Sequence, residues 1–353
     1  MTLITMHSRI HFASNILEEA LRAEVDDRQS VSSVLIYPEA LQDSEFLARV
    51  EEGLLLCSTV HHCAFKPTHT KYDTSATISA YAAENPVDLI LAVGSADAVV
   101  HGRKCRHTIS MQRYDSTNWP ERGALRRKQL GPELFIIPGL TGLPDPCLET
   151  TGHHAFKGTP ATVIICDPTV IKKTEELEFA RTITQTIGRC MTVLTTDTFN
   201  PLADGLAIDA LTRIRGAKVA RDPRELMAAT LSGAIAQQKG PGFVEAFGYS
   251  FSKAVGRTLD SALLHRVLLA RMLASTTSSN DEVIARVLGL PADTQLSDFV
   301  TEFLEEFALP DSLRKIGMAW EEVSETLEFM EPRFGTPQIG SAKQIRRMLE
   351  DAF

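Results

Sequence analysis

Up to about residue 170 this chain alternates short, unbroken apolar runs with stretches of helical periodicity. Beyond that point the apolar runs stop. No other feature constrains the fold as much. The runs are Ser33-Val34-Leu35-Ile36-Tyr37, stopped by Pro38, Asp88-Leu89-Ile90-Leu91-Ala92-Val93-Gly94, Leu134-Phe135-Ile136-Ile137-Pro138-Gly139, and Ala161-Thr162-Val163-Ile164-Ile165-Cys166, stopped by Asp167-Pro168. A continuous apolar run ending in Gly or Pro is the pattern of a strand buried on both faces. Helical spacing over Ser44–Leu55 and Ser75–Glu84 separates the first runs. Strands alternating with helices predict a parallel α/β sheet, with ligands beyond the carboxyl ends of the strands.

From Glu175 onward the periodic stretches are all helical: 175–192, 201–215, 223–238, 260–274, 281–289, 296–307 and 318–330, with breakers such as Gly240-Pro241-Gly242 and Leu290-Pro291 between some of them. At 353 residues the chain exceeds the usual domain size. The reading is therefore a Rossmann-like α/β domain over residues 1–169, an all-helical domain over 170–353, and a cleft between them.

Composition narrows the function classes. A net charge of -9 disfavours binding to a phosphate backbone, so no nucleic-acid partner is expected. No run of about 18 apolar residues predicts a membrane span. Met1–Phe12 lacks the apolar core of a signal peptide. The six cysteines form no CxxC pair and read as reduced, mostly buried thiols of a cytoplasmic protein. A small-molecule substrate and a homodimer are the expected partners. One stretch departs from the acidic balance: Arg103–Lys128 holds eight Arg/Lys against Asp115 and Glu121. Residues 101–132 read as a long polar loop, either a solvated surface or a lid for an anionic ligand.

Several segments, in serial order, resemble the iron-type alcohol dehydrogenase superfamily. Asp88–Ser95 is similar to its strand and glycine turn, and Ile136-Ile137-Pro138 stands where that family has Ile-Pro-Thr-Thr. Val163–Pro168 looks like its interdomain strand, and Asn200-Pro201 with the following residues to Leu211 looks like its Asn-Pro helix start. The match runs over roughly residues 8 to 275, and the Tyr37-Pro38 turn resembles the maleylacetate reductase branch. The resemblance implies an NAD(P)-linked reaction. The cofactor would be held by Pro38, Gly94, Ser95, Ala96, Arg103, Thr141 and Gly142, the first turn of the helix facing the diphosphate. The pattern departs from the family at Gly94-Ser95-Ala96-Asp97, where one glycine remains and Asp97 brings a negative charge. Val100 falls near the family's aspartate, and Gly139-Leu140 replaces its Thr-Thr.

The family binds a divalent metal through one Asp and three His of its helical domain. The corresponding positions here are Gln185, Arg189, Tyr249 (or Phe247) and Ser261, and His265 is the one histidine after His154. Guanidinium cannot ligate a metal, so no metal is expected. His61-His62 and His153-His154 read as surface or loop histidines, His101 and His107 as members of the basic stretch, and Cys190 as a buried thiol or one activated by Arg189.

Three readings follow. One is a metal-independent NAD(P)H reductase of a small anionic carbonyl compound, with Arg189 as the oxyanion-stabilising cation and Gln185, Tyr249, Lys253 or His265 as companions. Another is a cofactor-independent lyase, isomerase or cyclase using the same residues. A third is a catalytically dead ligand-binding relative. Arg189 has a structural alternative, a salt bridge to Glu245.

Overall fold

The four apolar runs become the middle strands of a six-stranded sheet. The strands are β1 (Arg9–Phe12), β2 (Ser32–Pro38), β3 (Thr59–Phe65), β4 (Leu89–Gly94), β5 (Glu133–Pro138) and β8 (Val163–Cys166). Their order is β1-β8-β5-β4-β2-β3, and every pair is parallel. In register Leu35 lies beside Leu91 and Leu91 beside Phe135. A short antiparallel ribbon, β6 (Glu149–Thr151) and β7 (His154–Phe156), stands apart from the sheet. This computed structural model describes residues 8–26, 28, 31–66, 73–116, 131–139, 149–151, 154–156, 161–171, 175–196, 198–240, 242–257, 259–276, 278, 280–291, 293–334 and 341–353. The described residues divide into two compact units, one within 8–171 and one within 175–353.

In the first unit, helices α1 (Leu17–Asp26), α2 (Glu45–Gly53), α3 (Asp73–Glu84) and α4 (Ala96–Ser116) cover the sheet. Alternation along β4 shows both faces at work. Leu89, Leu91 and Val93 join Leu21, Val25, Leu47 and Val50 in one core. Ile90 and Ala92 face α4 instead, where Gly102 comes so close that a Cβ would stand 3.0 Å from Leu134 Cδ1. From β2 the chain turns outward to β3, then crosses back to β4 on the other side. The reversal point therefore lies between the carboxyl ends of β2 and β4.

Two expectations for this unit are corrected. Residues 101–116 are not loop but most of α4. The helix was hidden because its buried side carries His101, Arg103 and Ser110 among Ala98, Val99, Cys105 and Ile109. Residues 117–130 lie outside the described residues, as does His153. His61 and His62 sit on edge strand β3, not in a loop. They point to opposite faces, His61 stacking on Tyr81 at 3.8 Å and His62 lying 3.4 Å from the Tyr37 hydroxyl.

In the second unit every described element is helical: α5 (Glu176–Thr195), α6 (Pro201–Ala220), α7 (Pro223–Ala236), α8 (Phe243–Ala254), α9 (Ser261–Ala274), α10 (Asp281–Leu288), α11 (Leu296–Glu305), α12 (Trp320–Phe334) and α13 (Ala342–Ala352). Side-chain caps start several of them. Asn200 accepts from Ala203 N with Pro201 following, and Asp260 accepts from Ala262 N at 2.8 Å. Helix α5 is buried all round from Thr186 to Thr195 and forms the axis of the unit. No helix among the described residues is long and apolar enough to cross a membrane.

The sheet unit is tied by buried carboxylates. Asp167, 1% exposed, accepts from Asn15 N, Leu17 N and Thr169 N and meets Arg49 Nη2 at 2.8 Å, while Arg49 also grips Glu18. Glu24 accepts from Arg9 and from His11 Nε2 at 2.8 Å. The bond from Arg49 holds Glu18 below its ordinary range. For Asp167 and Glu24 burial opposes ionisation, but their donors outweigh it and both are also held low. A carboxyl with a depressed folded-state pKa stabilises above its ordinary pKa and loses that contribution as pH falls through the depressed value. Chemical denaturation against pH should therefore give a plateau near neutrality and a fall below about pH 4. Arg49→Met should cost about 3 kcal/mol at neutral pH, because it leaves a buried carboxylate without its cation.

Candidate functional site

At the carboxyl edge of the sheet, β2 and β4 end side by side. Gly94 has φ +88°, a conformation that favours glycine, and a Cβ there would stand 2.5 Å from Leu41 Cδ1 and 3.8 Å from Pro38 Cδ. Ser95 follows and accepts from Ala98 N through its hydroxyl at 3.3 Å, so α4 begins at Ala96. Gly139 N donates to Gly94 O at 2.7 Å and closes the neighbouring end of β5. Pro38, Gly94, Ser95 and Ala96 thus meet at one edge. Arg103 lies two turns along α4 and is buried, and Thr141 and Gly142 fall outside the described residues. Asp97 is exposed in the first turn. Glu39, beyond Pro38, lies 3.7 Å from Lys66, so a cation beside β3 offsets its charge.

This edge fits the diphosphate of a dinucleotide in its backbone. It has a left-handed glycine turn and a half-exposed helix start with first-turn N–H groups that lack intrahelical acceptors. The exposed carboxylate of Asp97 in the first turn works against it.

The second constellation lies inside the helical unit. Arg189 on α5 is 3% exposed, Glu245 on α8 is 8% and His265 on α9 is 0%. Glu245 Oε1 accepts from Gln237 Nε2 at 2.8 Å and lies 3.0 Å from His265 Nε2, and its Oε2 accepts from Gly242 N at 3.2 Å. His265 Nδ1 is 2.8 Å from Ser261 O. Burial opposes ionisation of Glu245. The charge and hydrogen bond of His265, and then the charge of Arg189, outweigh it and keep the carboxyl below its usual range. The imidazole lies over the backbone of Gly188, where a Cβ would collide with His265 Cδ2.

Helix α8 carries the cluster outward. Glu245, Tyr249 and Lys253 follow one another at four-residue spacing on one face. Tyr249 is 5% exposed, and Lys253 Nζ stands 5.8 Å from its ring. Lys253 is half-buried, which pulls its amine below the usual lysine range. Gln185 is half-buried one turn before Arg189. Phe247, the other reading of the third position, stacks on Phe243 in the core. Cys190 is not activated: burial pushes its thiol up to about 12 in spite of Arg189.

Reading the sequence for chemistry left Glu245 only as a possible salt-bridge partner and passed over Gln237 and Gly188. The available signal is a single acid three residues after Gly242 in an otherwise apolar run, the N3 position from which a carboxylate accepts from the N-cap N–H.

No protein-family model matches the chain. A 4-hydroxybutyrate dehydrogenase of Cupriavidus necator is 28% identical over 222 residues, 57% of this chain and 58% of that protein. The chain thus spans about three-fifths of that relative's length. Solved structures match over nearly the whole chain. An iron-containing alcohol dehydrogenase of Thermococcus thioreducens has TM-score 0.81 at 16% identity, covering 99% of each chain. A sulfoacetaldehyde reductase of Bifidobacterium kashiwanohense in complex with NAD+ has 0.78 at 12%, covering 100% of this chain and 98% of that one. A maleylacetate reductase of a Rhizobium strain has 0.70 at 18%, covering 100% and 97%. The chain carries the fold of the iron-type alcohol dehydrogenase superfamily, which maleylacetate reductases share.

The metal that this fold implies does not fit the residues present. Among the described residues no group of three or more His, Cys, Asp or Glu is placed to hold a metal ion. At the positions to which the resemblance points stand Gln185, buried Arg189, Tyr249 or Phe247, and Ser261. The nearby Glu245 and His265 are bonded to each other.

The packing yields a direct test. Gly188→Ala should displace the His265 ring and cost about 1–3 kcal/mol in chemical denaturation, the range for overfilling a packed site. An alanine variant of wild-type stability would mean that the ring is free to move.

Proposed function

We propose that this chain is an NAD(P)H-linked reductase of a small carbonyl compound that carries an anionic group, working without a catalytic metal. The observation that carries the reading is the buried cationic cluster of Arg189, Glu245 and His265 in a fold whose relatives reduce carbonyls or oxidise alcohols. Support for an anionic substrate comes from the names of three relatives: 4-hydroxybutyrate, sulfoacetaldehyde and maleylacetate all bear a carboxylate or sulfonate.

Pro38, Gly94, Ser95 and Ala96 would hold the cofactor, whose dihydronicotinamide supplies a hydride when bound. The chain's own part is electrostatic. Hydride addition leaves negative charge on the carbonyl oxygen, and a guanidinium in a low-dielectric site stabilises it without reorganising solvent. Arg189 has that role. Tyr249 offers a hydroxyl donor one turn beyond Glu245. Lys253, its amine held low by burial, gives a proton to the alkoxide more readily than an ordinary lysine would. The charge of Glu245 attracts Arg189 and would keep it in place, and Gln185 lies one turn before it on α5. A second reading, a cofactor-independent lyase, isomerase or cyclase in the same site, draws its support from exposed Asp97 at the start of α4.

Titration with NADH and NADPH, followed by nicotinamide fluorescence, separates the two readings. Saturable binding is expected, with NADPH bound at least as tightly as NADH because Lys66 offsets Glu39. No binding of either would favour the second reading. Arg189→Lys is expected to lower kcat by about a hundred- to a thousand-fold, the effect of losing one oxyanion donor, with little change in unfolding midpoint. Wild-type turnover in that variant would remove Arg189 from the reaction.

A further inference from the structure

Each ring nitrogen of His265 has an acceptor oxygen as its nearer partner, the Ser261 hydroxyl standing farther off at 3.5 Å from Nδ1. Nδ1 is 2.8 Å from the carbonyl oxygen of Ser261, and Nε2 is 3.0 Å from Glu245 Oε1. A neutral imidazole has a single N–H, so one of these contacts would set lone pair against lone pair in a site with 0% exposure. The imidazolium satisfies both. Its counter-charge is Glu245, saturated by Gln237 Nε2 on one oxygen and Gly242 N on the other. Arg189, also buried, adds a second positive charge that acts on the same carboxylate.

We propose that Glu245 is a positioning residue that holds His265 as a buried imidazolium and shares its charge with Arg189. The cluster thus brings two cations to one buried carboxylate. The close fit of the ring over Gly188 and the capping bond from Gly242 bring α5, α8 and α9 together at this point. The inference stands whether or not carbonyl reduction is the reaction, because it concerns the charge state of the helical unit itself.

The test reads the ring rather than turnover. In the full-length 15N-labelled chain, long-range proton–nitrogen correlation reports the protonation of each imidazole, and His265→Gln assigns the signal by its loss. Near neutral pH the His265 ring is expected to carry protons on both nitrogens, and Glu245→Gln is expected to convert it to a single-proton tautomer. Gln237→Leu removes a neutral donor only and should leave the ring doubly protonated, so it serves with the wild type if Glu245→Gln does not fold. A neutral His265 ring in the wild type or in Gln237→Leu overturns the proposal, as does an unchanged ring in folded Glu245→Gln. A metal arm is independent: after chelation, one equivalent of zinc or ferrous ion should move the melting temperature by no more than about 1 °C, since a folded-state site would raise it. A rise of several degrees, lost in Arg189→Ala, would mean that the centre binds metal after all.

Discussion

A carboxylate in the dry interior of a helical bundle is tolerated only if cations and donors come with it. Glu245 is that carboxylate, and much of the second unit's detail follows from supplying it. His265 must reach it from α9, Arg189 must lie near it on α5, and Gln237 and Gly242 must bring their N–H groups from the turn before α8. Each requirement restricts a helix. Residue 188 must be small because the ring passes over it, and residue 242 because a Cβ there would strike Thr192. The apolar positions around the cluster then close it off, with Phe247, Phe251, Leu264 and Leu268 at 2% exposure or less.

The sheet unit solves the same problem differently. Asp167, at the end of β8, is nearly as buried as any apolar residue, but it is satisfied mainly by backbone N–H groups and a threonine, with Arg49 as its cation. The carboxylate there fastens a loop and the start of α1 to a strand end. In the helical unit the polar partners are mostly side chains from separate helices. That difference makes the second cluster a clamp between helices, drawn together on one acid.

The fold accommodates such a cluster because helices in a bundle impose positions, not chemistry. Facing residues on α5, α8 and α9 converge whatever their type, and here they are a guanidinium, a carboxylate and an imidazole. The carboxyl edge of the sheet relies on its backbone instead, with a left-handed glycine at β4 and a half-exposed helix start, and Asp97 sets the charge beside them.

The sequence by itself determined the central strands and the change of architecture. Strands β2, β4, β5 and β8 are buried on both faces, so their residues read as unbroken apolar runs, and most helices of the second half carry ordinary periodicity between breakers. Edge strands β1 and β3 escaped notice because a strand with one neighbour can keep His11, His61 and His62 on it. Helix α8 is obscured for the opposite reason: Phe243, Val244, Ala246, Phe247 and Phe251 are buried around most of its circumference, and its polar row of Glu245 and Tyr249 is buried too, so no solvent face sets a period. The residue types at the candidate site were legible one by one. Their meeting was decided only by tertiary structure, because the partners of Glu245 come from other helices, and no local spacing records which buried acid will face which buried cation.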